Sequence, residues 1–134
     1  MIVPAGYSGT PLARKLGIRE GSTVALVGAS PGFTIPDLPP GVSLRRSARG
    51  RSDVTLWFVR SAAELQSRIV EMATRADQIG LWICWPKKSS GVRTDVTEQA
   101  VRGAGLANGL VDFKIGAIDA TWSGLRFAVA KPKS

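Results

Sequence analysis

Two apolar stretches constrain the fold of this chain more than any other feature: Val54 to Val59 and Ile79 to Trp85. Neither alternates polar with apolar residues, so each is predicted to be a strand that is covered on both of its faces. Strands of that kind are typical of parallel sheets that carry helices on either side. A third apolar run, Thr23 to Val27, leads into a glycine-containing loop and is predicted to be the first strand of the same sheet.

Two predicted helices alternate with these strands. Ser61 followed by Glu64 is a capping-box pattern, and it predicts a helix from residue 62 to about 77. A weaker helix is expected to follow the third strong strand, with Thr94 or Asp95 as its N-cap. The alternation of strand, loop and helix indicates an α/β fold.

The C-terminal strands are expected at about 111–118 and 124–131, joined by a connection short enough for an antiparallel hairpin. The predicted fold is therefore a small three-layer α/β domain with a Rossmann-like, mostly parallel sheet and a C-terminal antiparallel hairpin. We expect a single domain over residues 1–134, with a loose leader at 1–8 and a flexible basic loop at 40–52.

Length and composition fit a globular domain rather than a membrane protein. The 134 residues are 44% hydrophobic and include four tryptophans, which is enough for a hydrophobic core. No apolar run approaches the roughly 18 residues that indicate a membrane span. The first residues lack the features of a signal peptide, and a single cysteine, Cys84, cannot form an internal disulfide. The expected location is the cytoplasm, and Cys84 is expected to be an inert core residue.

The chain contains no histidine, which removes several kinds of chemistry. Nucleophiles activated by histidine, as in Ser-His-Asp or Cys-His sites, are excluded. Zinc sites built from histidine and cysteine are excluded as well, because the chain has one such ligand, so no metal site is predicted. A general base would have to be a carboxylate, a lysine or a tyrosine. Whether the protein is an enzyme is left open.

The formal net charge is +8 and the pI is near 10.6, which favours contact with phosphates, nucleic acid or acidic surfaces. Four arginines fall in one segment without an acidic residue among them: Arg45, Arg46, Arg49 and Arg51. They are candidates for binding nucleic acid through its phosphates. A solvated basic loop is the alternative interpretation of the same segment.

The loop after the first strand contains Gly28, Ser30 and Gly32, where nucleotide-binding folds have a glycine-rich turn. Glycine lets the backbone approach a ligand, and a helix that follows presents N–H groups to an anion. The spacing is G-x-x-x-G rather than G-x-G-x-x-G, so a tight turn without a ligand stays an alternative. The second strand is expected to end in Arg45-Arg46 rather than in an acidic residue, which disfavours adenosylmethionine and fits a ribose 2′-phosphate.

Two further segments are candidates for anion binding. The loop after the third strong strand combines ammonium and hydroxyl groups: Lys87, Lys88, Ser89 and Ser90. Near the hairpin tip, an aromatic ring, a hydroxyl and a guanidinium are close in sequence: Trp122, Ser123 and Arg126. We predict that both segments meet the glycine loop at one edge of the sheet and form one pocket for an anion. A basic surface loop and a tryptophan that covers the end of the core are the alternatives.

Five segments together resemble a known family: Gly6 to Ala13, Leu16 to Ile18, Trp85 to Gly91, Leu110 to Asp112 and Trp122 to Arg126. They are similar to a bacterial family catalogued as domain of unknown function 3052, and the resemblance covers nearly the whole chain. The Trp-Pro-Lys-Lys-Ser-Ser and Trp-Ser-Gly-Leu-Arg segments are specific to that family. The resemblance implies a small bacterial cytoplasmic protein with a reduced class I methyltransferase-like fold, and it implies no activity.

Three functions remain open at this point. The first is a non-catalytic protein that binds an anionic small molecule or a nucleotide in the predicted pocket. The second is a methyltransferase-like enzyme, which needs positioning more than acid–base groups. The third is a module that binds nucleic acid or another protein through its basic surface. We favour the first; no particular cofactor or oligomeric state is indicated, and no membrane partner is expected.

Overall fold

A computed structural model describes residues 11–76 and 80–130 as a mixed α/β fold. The leader predicted at 1–8 lies outside these residues. In chain order the strands are β1 (Thr23–Val27), β2 (Ser43–Arg45), β3 (Val54–Phe58), β4 (Leu81–Pro86), β5 (Leu110–Ala117) and β6 (Trp122–Val129). The helices are α1 (Leu12–Leu16), α2 (Ala62–Ala73) and α3 (Glu98–Ala107), with short 3₁₀ turns at Thr74–Ala76 and Lys88–Ser90. Within the two described ranges, no helix has the length and apolar character that a membrane span requires.

The six strands form one sheet in the order β2-β1-β3-β4-β6-β5. Strands β2, β1, β3 and β4 pair in parallel, whereas β6 runs antiparallel to both of its neighbours, β4 and β5. Three of the five pairings are thus parallel, and the sheet is mixed. The predicted C-terminal hairpin is confirmed, and its second strand is inserted between β4 and β5.

The two apolar stretches form the most deeply buried strands. Every residue of β3 and β4 is buried, and their large apolar side chains alternate between two hydrophobic clusters. One cluster includes Trp57 and side chains of α2 and α3; the other includes Phe58, Trp82 and side chains of α1. Burial of one large apolar side chain stabilises a fold by roughly 1.5–3 kcal/mol. The prediction that these strands are covered on both faces is confirmed.

The start of α2 follows the predicted capping pattern. The Ser61 hydroxyl accepts a hydrogen bond from the Glu64 backbone N–H at 3.1 Å. The Glu64 carboxylate in turn accepts from the backbone N–H of Arg60 at 2.9 Å, one residue before the cap. The buried face of the helix carries Leu65, Ile69 and Met72. This cap fixes the direction in which the chain leaves β3.

The predicted cap of α3 is wrong. Thr97, rather than Thr94 or Asp95, is the N-cap, and its hydroxyl accepts from a backbone N–H in the first turn at 3.1 Å. The Asp95 carboxylate instead accepts from the Ala62 N–H at 2.7 Å. The Thr94 hydroxyl donates to the Arg60 carbonyl at 2.8 Å. Since these two side chains connect the loop before α3 to the start of α2, the helix begins later than predicted.

Candidate functional site

Gly28 turns the chain at the carboxyl end of β1, where the sequence predicts a glycine-rich loop. Its φ of +79° lies in the region that favours glycine, and a Cβ at this position would lie 2.8 Å from the Phe58 carbonyl oxygen. The loop therefore begins in close contact with the end of β3. A larger residue at position 28 would push the two strand ends apart.

Two arginines hold this loop through its oxygen atoms. Arg60, just after β3, donates through Nη1 to the Gly28 carbonyl at 2.8 Å and through Nη2 to the Ser30 hydroxyl at 3.3 Å. Arg46, directly after β2, donates to the carbonyls of Ser30 and Phe33 at 3.0 and 2.8 Å. The conformation of the loop thus depends on cations supplied by the ends of β2 and β3.

The Arg60 guanidinium also lies over an aromatic ring of the C-terminal hairpin. Its Cζ atom is 5.0 Å from the centroid of the Trp122 ring. Trp122 is buried at the start of β6 and meets Phe58 edge to face, with ring centroids 4.9 Å apart. Phe33 contacts the same Phe58 ring at a centroid distance of 4.8 Å. These three rings pack together and support the guanidinium.

Arg60, Trp122 and part of the glycine loop line a cleft of about 280 Å³, which we call the Arg60 cleft. It lies beyond the carboxyl ends of β1 and β3, next to the turn between β5 and β6. Its lining residues are Ser30, Gly32, Phe33, Arg60, Val92, Asp119, Thr121 and Trp122. The Asp119 Oδ1 atom accepts from the backbone N–H groups of Thr121 and Trp122, both at 2.8 Å, and so holds the turn in shape. The cleft offers a ligand a guanidinium, two hydroxyls and an indole.

The structure distributes the predicted site residues over separate cavities. The Arg60 cleft contains Ser30, Gly32 and Trp122. Lys88 and Ser123 line a cavity of about 610 Å³ beside the start of α3. Arg126 lines a third cavity, of about 820 Å³, next to α1. Among the described residues, these three cavities have no lining residue in common, so none of the three joins all of the predicted segments.

The register of β4 and β6 explains the position of Arg126. Arg126 pairs with Trp82 near the start of β4, whereas Lys87 follows the end of that strand. The five residue-to-residue steps from Trp82 to Lys87 span about 16 Å of extended chain. Arg126 and Lys88 accordingly line different cavities, and the structure does not bring them together.

The 3₁₀ turn after β4 is held by local hydrogen bonds. The Ser90 hydroxyl donates to the Lys87 carbonyl at 2.6 Å. The Lys87 N–H donates to the Thr121 carbonyl at 2.8 Å and extends the ladder between β4 and β6. Lys88 and Ser89 are exposed. Ser90 thus has a role within the turn, and anion binding by this segment stays a prediction.

The arginine-rich segment has structural contacts of its own. Arg45, the last residue of β2, donates to the Arg51 carbonyl oxygen, and Arg46 holds the glycine loop. Arg49 and Arg51 are exposed. Two of the four guanidiniums are therefore engaged with backbone oxygens, and nucleic-acid binding by this segment stays a prediction.

Arg60 and Asp119 are the charged residues among the described lining of the cleft, and the sequence analysis singled out neither of them. A usable signal existed for Arg60, since a basic residue just past a buried parallel strand falls on the edge where α/β sheets bind ligands. Asp119 precedes Thr121 by two residues, the spacing of an Asx turn. Neither signal shows that the two residues line the same cleft, because they come from distant parts of the chain.

Cys84 lies within β4 and is fully buried, as predicted. Burial raises the pKa of its thiol far above the usual range, and the negative charge of Asp119 raises the pKa further. The thiol therefore stays protonated, and it is not a nucleophile in the folded protein. Residues 11–76 and 80–130 contain no group of three or more side chains that could hold a metal ion.

No protein-family model matches this chain, and no curated protein is significantly similar to it. The resemblance to family 3052 stays a prediction, and that family would bring no activity with it. A function therefore has to be inferred from the geometry and chemistry of the clefts.

Proposed function

We propose that this protein binds a small anionic molecule, of mononucleotide size or smaller, in the Arg60 cleft and catalyses no reaction there. One observation carries the proposal: the Arg60 guanidinium contacts the glycine loop and the Trp122 ring at the same time. A cation held in this way is oriented before a ligand arrives. Such preorganisation reduces the entropy that binding costs.

We also propose that the sheet is a reduced Rossmann-like sheet of the methyltransferase type. The support is the strand order, in which four parallel strands are followed by a hairpin whose antiparallel strand, β6, lies between β4 and β5. Open α/β sheets bind ligands beyond the carboxyl ends of their strands. The Arg60 cleft occupies that edge of the sheet, beyond β1 and β3.

The hydrogen-bonding capacity of Arg60 favours an anion. A guanidinium has five N–H donors. In the described part of the chain, two of them donate to the Gly28 carbonyl and the Ser30 hydroxyl, which leaves three for the oxygens of a ligand. A phosphate or carboxylate matches the remaining donors in both charge and geometry.

The size and chemistry of the cleft favour binding over catalysis. Its volume of about 280 Å³ is near the lower end of the roughly 300–1,000 Å³ typical of ligand pockets, so a large dinucleotide would extend beyond it. Asp119 is the one carboxylate that lines the cleft in the described residues, and its Oδ1 atom already accepts two N–H groups. The chain also has no histidine to serve as a general base.

Thermal unfolding with a ligand panel tests this proposal. The panel contains adenosine monophosphate, ATP, NADPH, adenosylmethionine, adenosylhomocysteine and a short duplex DNA, each at low and moderate salt. A ligand at about a hundred times its dissociation constant stabilises the folded state by about 2.7 kcal/mol, which raises Tm by several degrees in a domain of this size. We expect a salt-tolerant shift with a mononucleotide.

Two variants decide where such a ligand binds. Arg60→Gln is expected to abolish the shift, whereas Arg49→Gln, which removes the same charge at an exposed position outside the cleft, is expected to retain it. An unchanged shift in Arg60→Gln would contradict the proposal. A shift with DNA alone that disappears at moderate salt would favour the nucleic-acid alternative.

A further inference from the structure

The Arg60 cleft carries one positive and one negative side chain that do not pair with each other. Arg60 and Asp119 both line this cleft of about 280 Å³. The ion pairs among the described residues involve Arg68 and Arg102 instead. The guanidinium and the carboxylate therefore line one small space without forming an ion pair across it.

Each of these two side chains is held in place by contacts of its own. Arg60 donates to two oxygen atoms of the glycine loop, and its Cζ atom lies 5.0 Å from the centroid of the Trp122 ring. Asp119 accepts through Oδ1 from two backbone N–H groups, both at 2.8 Å, in the turn that leads into β6. These contacts, rather than an ion pair between them, fix the two charges at the walls of the cleft.

The second oxygen of the Asp119 carboxylate is available to a ligand. The hydrogen bonds that the described residues donate to this side chain both end on Oδ1, and the residue is exposed. An ionised carboxylate accepts hydrogen bonds and donates none. The Oδ2 atom therefore favours a ligand that presents an O–H or N–H donor to it.

The two charges together constrain the ligand more than Arg60 does alone. The guanidinium favours a phosphate or a carboxylate, because it offers paired N–H donors to an anion. The carboxylate of Asp119 repels the same anion, and a donor on the ligand offsets this repulsion. A ligand with a negative charge overall meets both requirements when it also carries neutral hydroxyl groups.

We propose that the ligand of the Arg60 cleft is a phosphate ester of a sugar, with its phosphate on Arg60 and a sugar hydroxyl that donates to the Asp119 Oδ2 atom. This inference rests on the function proposed above, and it adds the chemical class of the ligand and a second residue that recognises it. A hydroxyl that donates to a carboxylate forms a charge-assisted hydrogen bond, which is roughly twice as strong as a neutral one. The volume of about 280 Å³ suits a ligand of this size.

Calorimetric titration of the full chain with two matched ligands tests this inference: adenosine monophosphate and 2′,3′-dideoxyadenosine monophosphate, which lacks both ribose hydroxyls. The wild type is expected to bind adenosine monophosphate about tenfold or more tightly than the dideoxy ligand. In Asp119→Asn the side-chain oxygen still accepts the two N–H groups of the turn, while an N–H donor replaces the second acceptor. We expect this variant to bind adenosine monophosphate more weakly and the dideoxy ligand equally well or more tightly, because a carboxylate near the phosphate is removed.

Asp95→Asn is the matched control, since Asp95 also accepts a backbone N–H and lies outside the described lining of the cleft. It is expected to bind both ligands as the wild type does, and unchanged Tm values would show that both variants fold.

The possible failures of this inference and of the proposed function are distinguishable. Equal affinity of the wild type for the two ligands, with binding lost in Arg60→Gln, would overturn the inference and leave the proposed function standing. An equal loss of affinity for both ligands in Asp119→Asn would also overturn it, because Asp119 would then act only through the shape of the turn. Unchanged affinity in Arg60→Gln, or the absence of binding of either ligand at millimolar concentration, would overturn the proposed function as well.

Discussion

The Arg60 guanidinium lies 5.0 Å from the centroid of the Trp122 ring and donates a 2.8 Å hydrogen bond to the Gly28 carbonyl. One side chain thereby connects the end of β1, the end of β3 and the start of β6. These three chain segments are far apart in sequence, and the insertion of β6 beside β4 brings them together. The contacts of Arg60 therefore depend on the topology of the sheet, and they also determine the shape of the cleft.

A double-mutant cycle measures the contact between Arg60 and Trp122. We expect Arg60→Gln and Trp122→Leu to show a coupling of about 0.5–1 kcal/mol in urea unfolding, the range for an exposed cation over an aromatic ring. The control cycle pairs Arg49→Gln with Trp122→Leu and is expected to be additive within about 0.5 kcal/mol. If the coupling energy were equal in the two cycles, long-range charge effects would account for it, and the position of the Arg60 guanidinium over the Trp122 ring would not.

Gly28→Ala tests the close contact between the glycine loop and β3. The positive φ and the clash with the Phe58 carbonyl are expected to destabilise the protein by about 1–3 kcal/mol. Gly103→Ala is the matched control, because a Cβ at that helical position in α3 meets no atom within 4 Å. This control is expected to stabilise the protein by up to about 1 kcal/mol. Urea unfolding of both variants measures the change in the free energy of unfolding, which is expected to decrease in Gly28→Ala and to increase in Gly103→Ala.

The buried tryptophans Trp57 and Trp82 provide a second comparison. Trp82 donates from Nε1 to the Leu16 carbonyl at 3.1 Å, whereas the Trp57 Nε1 atom is buried with no hydrogen-bond partner in the described residues. Replacement by phenylalanine removes a similar volume from either site. Trp82→Phe also leaves a buried carbonyl unpaired, so we expect it to be more destabilising than Trp57→Phe by about 1–3 kcal/mol. Equal losses in chemical denaturation would show that the hydrogen bond to Leu16 contributes little.

The buried thiol of Cys84 predicts a pH dependence. Its pKa is raised in the folded state, so the unfolded chain loses the thiol proton first as the pH rises. The free energy of unfolding should therefore be insensitive to this group below about pH 8.5 and should fall above that pH. Unfolding curves of the wild type and Cys84→Ala measured from neutral to alkaline pH check this, because the variant lacks the contribution. A thiol reagent that modifies the native protein at neutral pH as fast as the urea-unfolded chain would contradict the assignment of Cys84 as inert.

Local sequence patterns predicted the sheet core and one helix cap. The apolar runs in β3 and β4 are long enough that full burial was the expected result, and Ser61 with Glu64 marked the start of α2. The prediction of the α3 N-cap was wrong because the side chains of Asp95 and Thr94 form hydrogen bonds with the backbone of residues 62 and 60. A local pattern cannot show that a partner from a distant segment competes for the same side chain.

The candidate site could be predicted only in part, for the same reason. The glycine loop and Trp122 were identified as candidates, and both contribute to the Arg60 cleft. Arg126 was expected in the same pocket because it is close to Trp122 in sequence, but four residues along a strand carry it about 13 Å away. The contacts of Arg60 depend on the order and register of the strands, and neither can be derived from the local patterns of a single sequence.

A titration of ¹⁵N-labelled protein with adenosine monophosphate, followed by ¹H–¹⁵N correlation spectra, tests ligand binding in the Arg60 cleft most directly. We expect the largest shift changes at the Trp122 indole N–H and at the backbone N–H groups of Ser30, Gly32 and Thr121, all of which line the cleft. These changes should disappear in Arg60→Gln and persist in Arg49→Gln. Saturating chemical-shift changes confined to the cavity next to α1 that Arg126 lines, or to the Lys88–Ser90 turn, with the Trp122 indole signal unchanged, would contradict the proposed function.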